Sequence, residues 1–345
     1  MATAKKKKNP NSFRYVLLVI IALLVFAVFR VFGPNTGAFT NGTYLYIHTG
    51  SDYEKVIASL EHGGFISDMW SFELLAKWAK LSEHIHPGKY KINNGMSNYR
   101  LIRLLHSGKQ TEVKLTINKL RTVQDFVHLL STNLEADSME LRQHFHDNEY
   151  LSQFGLDSNT MMCAVIPDTY VFYWNTNADK AFKKIERNRE KFWDETRKQQ
   201  AQAQGLTPVK AAIIASIVDE ESNMMDDKPK IASVYINRLH KDMKLQADPT
   251  VKFAIGDFTI RRVTGPMLQT NSPYNTYMYE GLPPGPICTP SPGSIDAVLM
   301  APKTTYLYFC AKDDFSGYSA FATTFAEQMK NAHAYQKALD ARGIH

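Results

Sequence analysis

The sequence predicts an α+β protein carried on one N-terminal transmembrane helix, with a small βααβ unit followed by a larger α/β domain that contains a helical subdomain. Three observations predict it. Residues 15–29 read YVLLVIIALLVFAVF, with no charge. Two short strand-like segments, residues 43–49 and 88–92, bracket two segments that carry helix signals. From Thr207 onward a charged, helix-patterned stretch gives way to an apolar helix, short aromatic strands and loops crowded with proline. The boundaries read as a tail over 1–14, a spanning helix over 15–32, a linker over 33–42, the small unit over 43–110 and the larger domain over 111–345. The helical subdomain occupies about 122–205 of the last.

The apolar run, extended by Phe13, Val31 and Phe32, approaches the thickness of a bilayer core. Arg14 and Arg30 stand at its ends, where long side chains snorkel to the interface. Lys5, Lys6, Lys7, Lys8 and Arg14 precede the run, so the positive-inside rule keeps the N-terminus cytoplasmic and exports the residues beyond Phe32. No small-residue cleavage site comes after the run, which favours a retained anchor. The net charge is +6, and the six basic residues before Asp52 account for all of it. The exported part is therefore near neutral, which removes the electrostatic argument for nucleic acid binding. Cys163, Cys288 and Cys310 have apolar or proline neighbours and no metal-ligand spacing, and read as small apolar residues, with one disulfide in an oxidising compartment as the alternative.

Residues 33–42 (GPNTGAFTNG) are small and turn-forming. In the small unit, residues 43–49 (TYLYIHT) alternate like a strand, and Ser51 with Glu54 forms a capping box for a helix ending at Gly63 and Gly64. A second helix is expected over 71–82, a strand over 88–92, and a third helix opened by Ser97 and stopped by Gly108. After a strand at 112–117 comes the charged helical region, with one long amphipathic stretch from Asn177 to about Gln204. A strand is expected at 305–311 (TYLYFCA).

Three patches can carry chemistry. In the first, Thr207 caps a helix with Pro208 at its first position. At 100° per residue, Ile213, Ile214, Ile217 and Val218 share a sector with Glu221, while Glu220 lies at its edge and Asp219 points roughly opposite. An apolar surrounding and the negative end of the helix both disfavour the Glu221 carboxylate, so its pKa should rise. A carboxylic acid that stays protonated near neutrality suits proton donation to a leaving glycosidic oxygen. The plainer reading is that Glu221 ends the helix and pairs with a lysine. In the second patch, LQADPTV from Leu245 to Val251, Asp248 either caps a helix beginning at Pro249 or supplies a second carboxylate. The third, residues 272–293, holds six of the fifteen prolines together with Tyr274, Asn275, Tyr277 and Tyr279. It reads either as a rigid sugar-stacking wall or as an ordinary surface loop.

These residues, namely 215–222 (ASIVDEES), 232–239 (ASVYINRL), LQADPTV, SPYNTY and GLPPGPI, together resemble the endolytic murein transglycosylase (YceG-like) family. The resemblance implies that Glu221, followed by Ser222, is the catalytic acid and base, and that the small unit is LysM-like. It also places Pro167-Asp168-Thr169-Tyr170 in a family segment. Substrate contacts are expected from Ser222, Gln246, Asp248, Tyr274, Asn275 and Tyr277. The implied reaction breaks nascent peptidoglycan glycan strands between N-acetylmuramic acid and N-acetylglucosamine and leaves 1,6-anhydro ends, without metal or organic cofactor. The partners implied are the strands and a peptidoglycan synthase, at the periplasmic face of the inner membrane. A hydrolase using Glu221 with Asp248, and a non-enzymatic peptidoglycan-binding scaffold, are the competing readings. The chain departs from the family pattern at Cys163-Ala164, Asp219, Ser319 and Gln328.

Overall fold

Helix α1 (Pro10–Phe32) opens a computed structural model of the chain that describes residues 10–37, 39 and 43–343. Its segment Phe13–Phe32 is long and apolar enough to cross a membrane, and none of it is buried. The lysine run 5–8 lies outside the described residues, as do 38 and 40–42 of the expected linker. The described part of that linker is docked rather than free. Pro34 bridges to Ser97 and Thr36 to Ile66, and the side chain of Asn35 donates to Asp68 O and Asn98 Oδ1. Buried backbone needs partners, and here the chain supplies them within five residues of α1.

The chain divides into two units, the first running up to Val113 and including Val171–Thr176. In it, β1 (Thr43–Ile47), α2 (Tyr53–His62), α3 (Met69–Trp78), β2 (Gly88–Ile92) and α4 (Asn98–Ser107) follow the expected βααβ-plus-helix order. β1 and β2 pair antiparallel, with Leu45 opposite Tyr90. Leu45, Leu60, Phe72, Tyr90 and Leu101 form the core. The limits of both α2 and α3 differ from expectation. Asp52, not Ser51, caps α2 by accepting from Lys55 N, because a carboxylate one residue on reaches the same turn of amides. Asp68 starts α3 two residues early, and Lys80, in the left-handed region at φ 54°, turns the chain into a short 3-10 helix, Leu81–Glu83. Ser97 and Gly108 bound α4 as expected.

β3 (Glu112–Ile117) leads into the second unit, Lys114–Tyr170 with Asn177 onward. α5 (Val123–Asn133), α6 (Ser138–His146) and α7 (Asn148–Ser152) precede β4 (Asp168–Tyr173), a strand embedded in the region expected to be helical. The single long stretch from Asn177 is two helices, α8 (Ala178–Phe192) and α9 (Glu195–Ala203). Asp194 between them is extended and caps α9 through Arg197 N, so the chain must leave the helix there. α10 (Pro208–Glu221), α11 (Lys228–Leu239), α12 (Asp248–Ile255) and α13 (Pro292–Leu299) come next. β5 (Tyr308–Ala311), shorter than expected, pairs antiparallel with β6 (Ser319–Ala322) before α14 (Phe325–Asp340). The core gathers Ile214, Ile217, Val218, Tyr235, Ile287 and Val298 around α10, with Leu245 and Ala247 from the approach to α12. Cys163 and Cys288 are buried, and Cys310 is half-buried.

Candidate active site

α10 forms because Thr207 accepts from Lys210 N, Pro208 occupies the first turn, and six of its next ten residues are alanine or isoleucine. Its side chains from Ala211 to Asp219 are all buried. Burial is thus all round, not on one sector. Ser216 ties the helix to the GLPPGPI segment by accepting from Ile287 N at 3.0 Å. In that segment Gly285 is obligatory, since a Cβ there would sit 2.0 Å from Asn159 O.

Asp219 does not point to solvent. It accepts from Lys228 Nζ at 2.6 Å, from Ser291 at 2.9 Å and from Ser294, and Lys119 Nζ lies 3.1 Å away. Burial opposes its charge, but these donors hold its pKa far below the carboxylate range. Glu220 is gripped by Lys119 and Arg121, each at 2.8 Å. Its pKa is also lowered, burial again being outweighed by the two cations. Glu221, the third acid, has no cation in contact among the described residues. Its Oε1 accepts one hydrogen bond, from the phenol of Tyr235 on α11 at 2.7 Å. Desolvation pushes its pKa up to about 7, with the charges of Asp248 and Glu220 adding to the rise and Tyr235 and Lys252 opposing it. Tyr235 is 1% exposed and its own pKa is raised, chiefly by burial and then by the Glu221 charge. It is therefore a proton donor in this bond at any ordinary pH.

Asp248 starts α12 but caps nothing. Its exposed carboxylate instead accepts from the Tyr277 phenol at 2.6 Å. Burial and this bond to Asp248 raise the Tyr277 pKa. The two loops are laced together: Gln246 N donates to Thr276 O, Ala247 N to Thr276 Oγ1, and the Thr250 and Thr276 hydroxyls lie 2.9 Å apart. Gln246, exposed and at φ 51°, holds the left-handed conformation at a strained turn two residues before Asp248. Buried Arg238 fixes that turn, donating to Leu245 O at 2.8 Å and Lys244 O at 3.1 Å.

The other three expected contacts each have a partner within the protein. Asn275 is fully buried, donating to Leu268 O and Thr270 O and accepting from Tyr277 N. An amide with both donors and its oxygen engaged braces the loop rather than meeting a ligand. Tyr274 packs on the core with its ring 4.7 Å from that of Phe253. Ser222 leaves α10 in extended conformation and accepts from Met224 N. Tyr279 is 44% exposed, its hydroxyl donating to Asn271.

The model of the YceG-like family matches residues 45–334. This chain belongs to that family. It is 28% identical over 304 residues to the endolytic murein transglycosylase of Bacillus subtilis (strain 168), covering 84% of this chain and 83% of that one. The endolytic murein transglycosylase of Streptococcus pneumoniae D39 is 25% identical over 300 residues, and the match spans 77% of this chain but about half, 53%, of that longer protein. A crystal structure of a YceG-like protein from Listeria monocytogenes superposes with a TM-score of 0.55 at 25% identity, covering 84% of this chain and 98% of that one.

Several residues of this YceG-like site carry no signal in the sequence. Tyr235 stands inside the ASVYINRL block with nothing to mark its contact with Glu221, fourteen residues back. Lys119 and Arg121 reach Glu220 from about a hundred residues away. Ser319 N donates to Asp227, Gln328 donates to Phe309 O, and Cys163-Ala164 is buried in a 3-10 turn.

Proposed function

We propose that this chain is an endolytic peptidoglycan lytic transglycosylase in which Glu221 is both acid and base. The observation that carries the reading is Glu221 held by a single phenol, with no cation in contact among the described residues, beside Asp219 and Glu220 that are each gripped by cations. This arrangement raises the first pKa and lowers the other two. Protonated Glu221 donates to the oxygen linking N-acetylmuramic acid to N-acetylglucosamine. The resulting carboxylate then takes the proton of the muramoyl C6 hydroxyl as that oxygen closes on C1. One carboxyl group suffices, because an intramolecular hydroxyl has a high effective concentration and replaces water. Tyr235 orients the carboxyl through its hydrogen bond. Gln246, Asp248 and Tyr277 form the rim offered to the strand, with half-buried Ser222 and Tyr274 as further contacts.

On this reading α1 is a single-pass anchor in the inner membrane, with the N-terminus cytoplasmic by the lysine run and the remainder periplasmic. The first unit is a LysM-like module, and a glycan-polymerising synthase supplies nascent strands that the enzyme ends within their length. The test is mass spectrometry of products from uncrosslinked glycan strands incubated with the purified full chain. Fragments lighter by one water than hydrolysis products are expected. Hydrated ends would favour the hydrolase, and binding with no release of fragments would favour the scaffold.

A further inference from the structure

A groove at the end of α1 is unused by the reaction. Phe32, the last residue of α1, lies against Tyr99 on α4 with ring centroids 5.4 Å apart. These two rings and Leu104 form the apolar wall of a groove of about 780 Å³, which Arg100 and Arg103 also line. The two arginines stand three residues apart on α4, so they project from one side of it. Both are exposed, and among the described residues neither is paired with a carboxylate.

The depth of this groove follows from the chain. Asn98, which begins α4, donates to Arg30 O at 3.0 Å and to Ser71 at 3.0 Å. Arg30 pairs with Asp68, the cap of α3, at 2.7 Å. The last turn of α1 and the first turns of α3 and α4 are thereby one hydrogen-bonded cluster, with Asn35 and Asn98 buried inside it. If α1 crosses the membrane, the start of α4 stands at the level of the lipid headgroups. Aromatic rings and guanidinium groups are the side chains suited to that level, and the guanidinium fork matches phosphate.

We propose that this groove binds the phosphate of an anionic membrane phospholipid, with the acyl side of the lipid toward Phe32 and Tyr99. The bound lipid fixes the depth and rotation of the first unit at the membrane surface. The proposal rests on α1 being a membrane anchor and is independent of the chemistry at Glu221.

The test titrates the full chain, in a neutral detergent, with phosphatidylglycerol, phosphatidylcholine or inorganic phosphate, and counts bound ligand by native mass spectrometry. Saturable binding of phosphatidylglycerol over phosphatidylcholine is expected, undisturbed by millimolar phosphate. Arg100→Gln and Arg103→Gln should each weaken it about fivefold and together roughly 25-fold, as expected for two basic residues at a membrane surface. Arg100→Lys/Arg103→Lys should retain most of the preference. Lys77→Gln/Lys80→Gln, which removes two exposed cations of α3 and the turn after it, should change nothing. Equal binding of the two lipids, competition by free phosphate, or an equal loss in the Lys77/Lys80 variant would each overturn the proposal. Cleavage of soluble strands by the Arg100→Gln/Arg103→Gln chain should match the parent, so this test can fail while the Glu221 reading stands.

Discussion

Asp219 and Glu220 on one side of the C-terminal end of α10, and Glu221 on the other, are three consecutive carboxylates in two opposite environments. The first pair meets Lys119, Arg121, Lys228 and two serine hydroxyls. The third meets one phenol. All three are desolvated and all sit where the helix dipole disfavours negative charge, so neither burial nor the dipole separates them. Their partners do. The cations absorb the charge of Asp219 and Glu220 and leave Glu221 as the one acid whose proton is in play near neutral pH. The short side chain of Asp219 reaches Lys228, Ser291 and Ser294 together.

The largest effect expected from breaking this asymmetry is at Glu221 itself. Glu221→Gln keeps volume and can still accept from Tyr235 but cannot move a proton, so cleavage should fall below about 1% of the parent. The same variant should be more stable than the parent at pH 8 and not at pH 4. A carboxyl whose folded pKa is raised contributes stability that is present below its unfolded pKa, near 4.5, and lost as pH rises through about 7. Thermal unfolding at the two pH values should show a gain on the order of 1–3 kcal/mol at the higher one only.

On the other side, Lys228→Met leaves Asp219 buried beside the single cation Lys119 and should cost about 3–5 kcal/mol in denaturant unfolding. A cost below about 1 kcal/mol would mean that Lys228 is not what keeps Asp219 ionised. Smaller effects sharpen the comparison at Glu221. Tyr235→Phe removes a bond that favours the carboxylate, so the alkaline limb of the pH–rate profile should move up while the maximal rate drops about 2- to 10-fold. Asp248→Asn removes a charge that raises the Glu221 pKa, so that limb should move down slightly, since Asp248 is exposed and screened. Complete loss of activity in Asp248→Asn with strand binding retained would instead make Asp248 a second catalytic carboxylate.

The legible part of the sequence is local. Thr207-Pro208, Ser97 and Gly108 act on amides or turns within four residues, and the helices they bound have the expected limits. Asp248-Pro249 misleads because the local capping rule loses to a phenol 29 residues away. The proline loop is braced, but by its asparagine from inside rather than with that amide facing outward. The apolar sector of α10 points to a raised Glu221 pKa, yet the helix is buried on every side, so periodicity alone cannot rank its three acids. Only the cations brought in from the turn after β3 and from α11 rank them, and no local pattern encodes that meeting.

The most direct test of the central claim is the titration of Glu221 itself, by infrared difference spectroscopy of the parent against Glu221→Gln across the range from acid to mildly alkaline pH. A protonated carboxyl band that is absent from the variant and disappears with a midpoint near pH 7 is the predicted result. A carboxylate already ionised well below neutrality, with its midpoint in the ordinary glutamate range, would contradict the account.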